Sequence, residues 1–184
     1  MVSALLLAIL YELRRSELLA LRWSDIDVRK RTVRVDEGLI EVRGQKVWTD
    51  KNARSRRTIP IDAATAAAIS AHRKLQAREG LLAGPDWSDH DLVVTTKTGE
   101  SVHPGNFDRT LDRLVRRAGL PRLTSHGLRH TAATHMVRQA TDAGELRAVA
   151  DILDHSPDML MRVYAHALPD SLRAVADRIG ERGR

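Results

Sequence analysis

Cysteine is absent from the 184 residues, and aromatic side chains make up only 3% of them. Without cysteine, neither disulfide bonds nor thiolate chemistry nor a cysteine-based zinc site can contribute to stability or function. The scarcity of aromatic rings disfavours binding of single-stranded nucleic acid by base stacking, which needs exposed rings. No apolar run approaches the roughly 20 residues of a membrane span, and the apolar opening segment lacks the basic start and cleavage site of a signal peptide. We therefore expect a cytoplasmic protein.

Positive charge is in excess, with a net charge of +6 and an isoelectric point near 10.3. Nearly all of it comes from arginine, because lysine stands only at positions 30, 46, 51, 74 and 97. A polyanion is the natural partner of such a chain, although a GC-rich genome that prefers arginine codons would give the same composition. Because base stacking is disfavoured, duplex DNA is the better fit.

The spacing of apolar residues predicts a mainly α-helical fold with one small sheet. A near-continuous apolar run over 2–13 and the leucines that follow Ser16 predict two mostly buried helices. Three β-branched segments predict an antiparallel three-stranded sheet, with strands at 32–35, 46–49 and 58–61. Further helices are predicted from Asp62 to about Glu79, over 104–117, 125–138, 145–153 and 157–166, and from Asp170. We therefore expect one domain of the α+β class.

Breaking a phosphodiester without a metal requires cations on the non-bridging oxygens, an acid for the leaving oxygen and a base for the nucleophile. Five short segments hold residues of these types. They are LRRSELLALRWSDID at 13–27, KNARSRRTIP at 51–60, SHGLRH at 125–130, LRAVADILDHS at 146–156 and RVYAH at 162–166. Each alone is weak evidence, so their order and spacing carry the inference.

In order, these segments resemble the signature boxes of the tyrosine recombinases of the phage-integrase type. The step of nine residues from His155 to Tyr164 also matches that family. The resemblance covers almost the whole chain and implies a catalytic domain over residues 1–184 that is mainly helical. The family's N-terminal core-binding domain is then absent from these residues, which would be either the catalytic half of a longer protein or a naturally short member.

The resemblance assigns Arg14 and Arg129 to a phosphate clamp, for which the planar guanidinium group is suited. It assigns Lys51 to the tip of the sheet, from where it would reach into the minor groove and protonate the departing 5′ oxygen. Neighbouring Arg15 is the alternative to Arg14, and Lys46 is the alternative to Lys51.

His126 is implied as the base or proton relay, and His155 as a hydrogen-bond donor to the phosphate. Tyr164 would attack the phosphorus and form a 3′-phosphotyrosyl enzyme. The bond energy is retained in that linkage, so we expect no cofactor. The spacing of His126 and His130 by one helical turn also fits zinc, but we expect no metal, because a zinc-hydrolase glutamate and cysteine are both missing. Glu17 either orients the arginine side or caps its helix.

Two departures from the family pattern are Glu12, close to Arg14, and Asp154, where the family has glycine. The link from Met136 to Glu145 is also about three residues longer. None of these changes removes a catalytic group.

The implied function is site-specific recombination of double-stranded DNA. The alternatives are DNA relaxation of the type IB topoisomerase kind and a non-catalytic DNA-binding protein that kept the fold. We further expect a nucleoid-associated protein that assembles as a homotetramer on DNA through its C-terminal helix, with a possible directionality factor. The apolar stripe on that helix consists of Leu172, Val175, Ala176 and Ile179.

Overall fold

The structure, a computed structural model, describes residue 11, residues 13–52 and residues 55–164, with the backbone alone described at 157, 161, 163 and 164. The helix predicted over 2–13 therefore lies outside the described residues except at Tyr11 and Leu13. The helix predicted from Asp170 lies wholly outside them. None of the helices in the described ranges is both long and apolar enough to cross a membrane.

The helices follow the predicted order closely. Their bounds are α1 Arg15–Ala20, α2 Ala63–Ala83, α3 Pro104–Arg117, α4 Ser125–Gln139, α5 Ala143–Leu153 and α6 Pro157–Tyr164. Short 3₁₀ turns occupy Trp23–Asp25 and Gly84–Asp86. Helix α2 continues one turn beyond the predicted end at about Glu79.

Local chemistry explains where these helices begin. The carboxylate of Asp62 accepts from the backbone N–H of Thr65 at 2.9 Å, so it caps α2 as predicted. Pro104 begins α3, where its missing N–H costs nothing and its fixed φ suits the first turn. Asp142 caps α5 in the same way, accepting from Glu145 at 2.8 Å.

The strands form two sheets. Strands β1 (Ile26–Asp27), β2 (Thr32–Val35) and β5 (Arg57–Pro60) make an antiparallel sheet in the order β1-β2-β5. Strands β3 (Glu37–Val42) and β4 (Gln45–Asp50) make a separate hairpin.

The α+β class is confirmed, and the sheet has three strands. The strand predicted at 46–49 nevertheless pairs within the hairpin instead of joining the other two. Strand β3 was not predicted; it contains Gly38, and glycine is usually unfavourable inside a strand.

The chain divides into two compact units, residues 1–132 and residues 133–184. In the described part of the first unit, α1 and the two sheets enclose a core in which the largest fully buried apolar side chains are those of Leu18, Leu19, Leu39, Ile59, Ile69, Val33 and Val35. Leu111, Val115 and Leu128 form a smaller cluster between α3 and α4. In the second unit, a separate cluster contains Ala133, Val137, Ala150, Leu153 and Leu160.

Candidate active site

Glu17 is the centre of the charged cluster in the first unit. It lies in the six-residue helix α1, directly before Leu18 and Leu19, whose side chains are fully buried. Burial of these leucines takes the neighbouring carboxylate out of water with them, and its side chain has no exposed surface. A buried carboxylate is stable only when it is paired and hydrogen-bonded, so its partners decide what this site can do.

Arg14 is the first partner of Glu17. Its guanidinium Nη1 lies 3.1 Å from Glu17 Oε1, and its backbone N–H donates to Oε2 at 2.8 Å. Glu17 therefore caps the first turn of its helix and also orients the arginine side chain. The two roles that the sequence left open are both fulfilled.

Arg57 and Lys51 complete the cluster. Arg57, the first residue of β5, donates to both carboxylate oxygens of Glu17, at 3.1 Å to Oε1 and 2.9 Å to Oε2. The ammonium group of Lys51 forms an ion pair with Oε1 of Glu17. Among the described residues, three cations thus contact this one buried carboxylate.

Burial by itself would raise the pKa of Glu17, because it disfavours the charged form. Hydrogen bonds and charge from Arg57, followed by those from Lys51, outweigh this effect and lower the pKa to about 2. Glu17 is therefore ionised at any pH at which the protein would function.

The position of Lys51 corrects one expectation. The tip of the β3–β4 hairpin is formed by Arg43 and Gly44, and Lys51 instead follows β4 at the base of the hairpin. Its backbone N–H donates to the carbonyl of Asp36 at 2.8 Å, and its side chain is only 13% exposed. Pairing with the buried Glu17 explains this inward position. Lys46, the alternative, donates to the carbonyl and hydroxyl oxygens of Ser101 at 3.1 and 2.6 Å.

Arg15 is held away from the cluster around Glu17. Its guanidinium group forms an ion pair with Asp108 of α3, which ties the start of α1 to that helix. Arg14 and Arg15 are adjacent in sequence but bind carboxylates on different elements. This geometry favours Arg14, and not Arg15, as the arginine that shares a site with Lys51.

His126 and Arg129 lie in the first two turns of α4, within the first unit. The side chain of His126 is exposed, whereas Arg129 is 8% exposed. Residues three apart on a helix share a face, so the two can act on one ligand. Within the described residues, no three histidine or acidic side chains are grouped so as to hold a metal ion.

His155 and Tyr164 belong to the second unit. Helix α5 ends at Asp154, which adopts a left-handed backbone with φ of 54°, and the N–H of His155 donates to the carbonyl of Ala150 at 3.0 Å. The left-handed turn explains why glycine suits this position in the family pattern. Tyr164 is the last residue of α6 by its backbone.

Of the six residues that the sequence singled out, Arg14 and Lys51 are brought together by their shared contact with Glu17. Sequence reasoning gave Arg57 no role, although a signal was present. Side chains alternate along a strand, so Arg57 faces the same side as the buried Ile59. A cation directed inward there implies a buried acid, and Glu17 within a run of leucines is the candidate.

The chain is similar in sequence to known proteins along most of its length. Residues 1–170 match the model of the phage integrase family. The chain is 31% identical over 171 residues to the tyrosine recombinase XerC-like protein of Caldanaerobacter subterraneus subsp. tengcongensis, covering 85% of this chain and 43% of that protein. It is 30% identical over 178 residues to the tyrosine recombinase XerC of Mycobacterium leprae, covering 90% of this chain and 49% of that protein. The chain belongs to the phage integrase family.

Solved structures support the same fold. The Tn1549 transposon integrase in complex with transposon right end DNA superposes with a TM-score of 0.79 at 23% identity, over 97% of this chain and 58% of that chain. The XerH site-specific recombinase bound to a palindromic difH substrate superposes with a TM-score of 0.67 at 22% identity, over 95% of this chain and 44% of that chain. The chain thus spans roughly half the length of the proteins it matches.

Proposed function

We propose that residues 1–184 form the catalytic domain of a site-specific DNA recombinase, which cleaves and rejoins duplex DNA through a 3′-phosphotyrosyl intermediate. The observation that carries the proposal is the cluster in which Arg14, Lys51 and Arg57 surround the buried carboxylate of Glu17. Guanidinium and ammonium groups held together in one site are the kind of groups that bind a phosphodiester anion. Membership of the phage integrase family makes strand exchange the reaction that fits this site best.

In the proposed reaction, the phenol oxygen of Tyr164 attacks the phosphorus while His126 takes its proton. The bond from phosphorus to the 5′ oxygen breaks, and Lys51 donates a proton to that oxygen. Rejoining is the reverse: the 5′ hydroxyl of a partner strand attacks, its proton returns to Lys51, and Tyr164 is released.

Arg14, Arg129 and His155 would hold the non-bridging oxygens of the phosphate during both steps. A guanidinium group stays charged throughout and presents two N–H groups in one plane, which matches a pair of phosphate oxygens. Their contribution is electrostatic and does not depend on which atom leaves.

The proposed partner is double-stranded DNA, which is supported by the Tn1549 integrase in complex with transposon right end DNA and by XerH bound to a palindromic difH substrate. We further propose a homotetramer on DNA that is joined through the C-terminal helix, a possible directionality factor, and a place on the nucleoid. Plasmid relaxation compared with recombination between two sites distinguishes this activity from a topoisomerase of type IB.

The chain offers a matched pair of variants for testing the nucleophile, because it contains only two tyrosines. Tyr164→Phe removes the attacking oxygen, so DNA binding should persist while covalent adduct on a nicked suicide substrate disappears. Tyr11→Phe is the control, since the Tyr11 hydroxyl bonds Asp62 instead. Formation of a covalent adduct by Tyr164→Phe would contradict the proposal. Failure of the unaltered chain to form the adduct would contradict it as well.

A further inference from the structure

We propose that Arg57 is a positioning residue for proton transfer by Lys51. By pairing with both oxygens of Glu17, Arg57 cancels most of the carboxylate charge, which would otherwise hold Lys51 in its protonated form. The inference rests on the proposed function, because it takes Lys51 as the acid of the cleavage step. It concerns a residue for which the family's signature boxes gave no role.

The geometry separates the two cations. Arg57 approaches Glu17 with two parallel N–H groups, one to each oxygen, and its side chain is 10% exposed. Lys51 donates to Oε1, an oxygen that also accepts from Arg57 and Arg14. Arg57 therefore occupies the carboxylate more fully than Lys51 does.

The chemistry of the two side chains also differs. A guanidinium group does not give up its proton in proteins, so Arg57 neutralises Glu17 permanently. An ammonium group does give up its proton, but it does so less readily when an uncompensated carboxylate lies beside it in a buried site. Arg57 thus keeps Lys51 able to donate.

Arg57 should also make it easier for Lys51 to leave Glu17 and contact DNA. An incoming phosphodiester competes with Glu17 for the ammonium group. A carboxylate that accepts two N–H groups from Arg57 and two from Arg14 loses little when Lys51 leaves it. Without Arg57, Arg14 and Lys51 would be the described cations left on Glu17, so the carboxylate would hold Lys51 more strongly.

The test replaces Arg57 by glutamine, which keeps a hydrogen-bond donor and loses the charge. Adduct formation by the 184-residue chain is followed against pH on two nicked substrates, one with oxygen and one with sulfur at the 5′ bridging position. With oxygen, Arg57→Gln should slow adduct formation by about tenfold, because proton donation is impaired. With sulfur, the rate should stay near that of the unaltered chain, since a thiolate leaves without a proton.

The pH profile gives a second readout that a merely structural role would not move. Without Arg57, the carboxylate of Glu17 keeps more of its negative charge and attracts the ammonium proton of Lys51 more strongly. The alkaline limb of the oxygen-substrate profile should therefore move upward in Arg57→Gln. Arg57→Lys retains the charge and should return the limb toward its original position.

Arg34→Gln is the matched control. Arg34 lies in the neighbouring strand β2, is 56% exposed and pairs with Asp25 and Asp36 instead of Glu17. Its removal should leave both substrates and the alkaline limb unchanged. The folding of every variant is checked by circular dichroism before its rates are compared.

If Arg57→Gln does not fold, Glu17→Gln and the double variant Glu17→Gln/Arg57→Gln decide the question. With Glu17 neutral there is no charge for Arg57 to cancel, so the two variants should share one rate and one alkaline limb. A further loss when Arg57 is removed from that background would overturn the inference.

Equal slowing on oxygen and sulfur substrates, or an unmoved alkaline limb, would overturn the role of Arg57 and leave the proposed function standing. A complete absence of adduct from the unaltered chain on both substrates would overturn both.

Discussion

Arg57 and Glu17 are joined by two N–H···O bonds of 3.1 and 2.9 Å, with the carboxylate wholly buried. Such a pair is costly to form, because both ions leave water, and it is stable only when the remaining lone pairs are also satisfied. Here Arg14 and Lys51 satisfy them. The cluster that concentrates positive charge for an anion is therefore also part of the folded core of the first unit.

Acid should destabilise the protein through Glu17. The pKa of Glu17 is lowered from 4.5 to about 2 on folding. The contribution of Glu17 to the unfolding free energy is fully present above pH 4.5 and is lost as the pH falls toward 2. In that window, Glu17 is protonated in the unfolded chain but still ionised in the folded one. The difference corresponds to about 3 kcal/mol of unfolding free energy.

Urea unfolding from pH 6 to pH 2.5 measures this effect, with Glu17→Gln as the comparison. The variant should be less stable at pH 6, and the gap should narrow as the pH falls, since the unaltered carboxylate then becomes neutral as well. A gap of constant size would mean that Glu17 does not titrate with the stated pKa.

Gln76 should be a second determinant of stability in the first unit. Its side chain accepts from Trp23 Nε1 at 2.6 Å and donates to the carbonyl of Leu92 at 3.1 Å and to Thr95 Oγ1 at 2.9 Å. Gln76→Leu leaves these buried groups unpaired, so we expect a loss of about 2 kcal/mol in urea unfolding.

Leu75→Gln is the control for that experiment. Leu75 precedes Gln76 on α2 but is 53% exposed, so its replacement should change the unfolding free energy by less than about 0.5 kcal/mol. Similar losses at the two positions would show that helix propensity, and not the buried hydrogen bonds, determines the effect.

The residue at the end of α5 allows a gain in stability. Asp154 has a φ of 54°, in the left-handed region that costs a residue with a side chain roughly 1 kcal/mol and costs glycine little. Asp154→Gly should therefore be neutral or raise the melting temperature. Asp91→Gly is the comparison. Asp91 also has a positive φ, of 58°, but its carboxylate accepts from the backbone N–H of Ser24 at 3.1 Å, so the loss of this hydrogen bond should offset the gain from relieved strain. A clear loss at position 154 would mean that its carboxylate is needed.

Most of the helices could be predicted because their ends carry local signals. Pro104 marks the start of α3, and Asp62 marks that of α2. The hairpin was harder, because strand pairing depends on contacts between distant residues. Gly38 lies within β3, close to Ser16 of α1, and that close approach was not apparent from the local sequence.

In the candidate site, too, some residues could be predicted from local motifs and others could be found only from the structure. Arg14 and Lys51 could be named from motif spacing, and the structure adds the carboxylate that joins them. The inward position of Lys51 could not be anticipated, since it follows from the burial of Glu17 by Leu18 and Leu19. Arg57 lies in the KNARSRRTIP segment, but that resemblance gave it no role, because its role depends on its contact with Glu17, a distant residue of the protein.

The C-terminal segment should matter for assembly more than for DNA binding. Leu172, Val175, Ala176 and Ile179 form an apolar stripe in the sequence, in a segment outside the described residues. We expect deletion of residues 169–184 to leave duplex binding intact and to impair pairing of two DNA sites, as measured by gel-shift assays at matched salt. Unfolding of the deleted chain would indicate instead that the segment packs on its own domain.

The division of labour between Lys51 and Arg129 can be tested by changing one atom of the substrate. If Lys51 protonates the 5′ oxygen, Lys51→Ala should be slow on ordinary DNA, by a factor on the order of 10² or more. Replacing that oxygen by sulfur should largely restore the rate, because a thiolate leaves without a proton. Arg129→Ala should not be restored, since its proposed role is to hold the non-bridging oxygens whichever atom departs. Lys46→Ala, which removes the hydrogen bonds to Ser101, is the control and should cleave both substrates normally. If sulfur restores neither Lys51→Ala nor Arg129→Ala, Lys51 is not the acid, and Lys46 or a histidine has to be tested in its place.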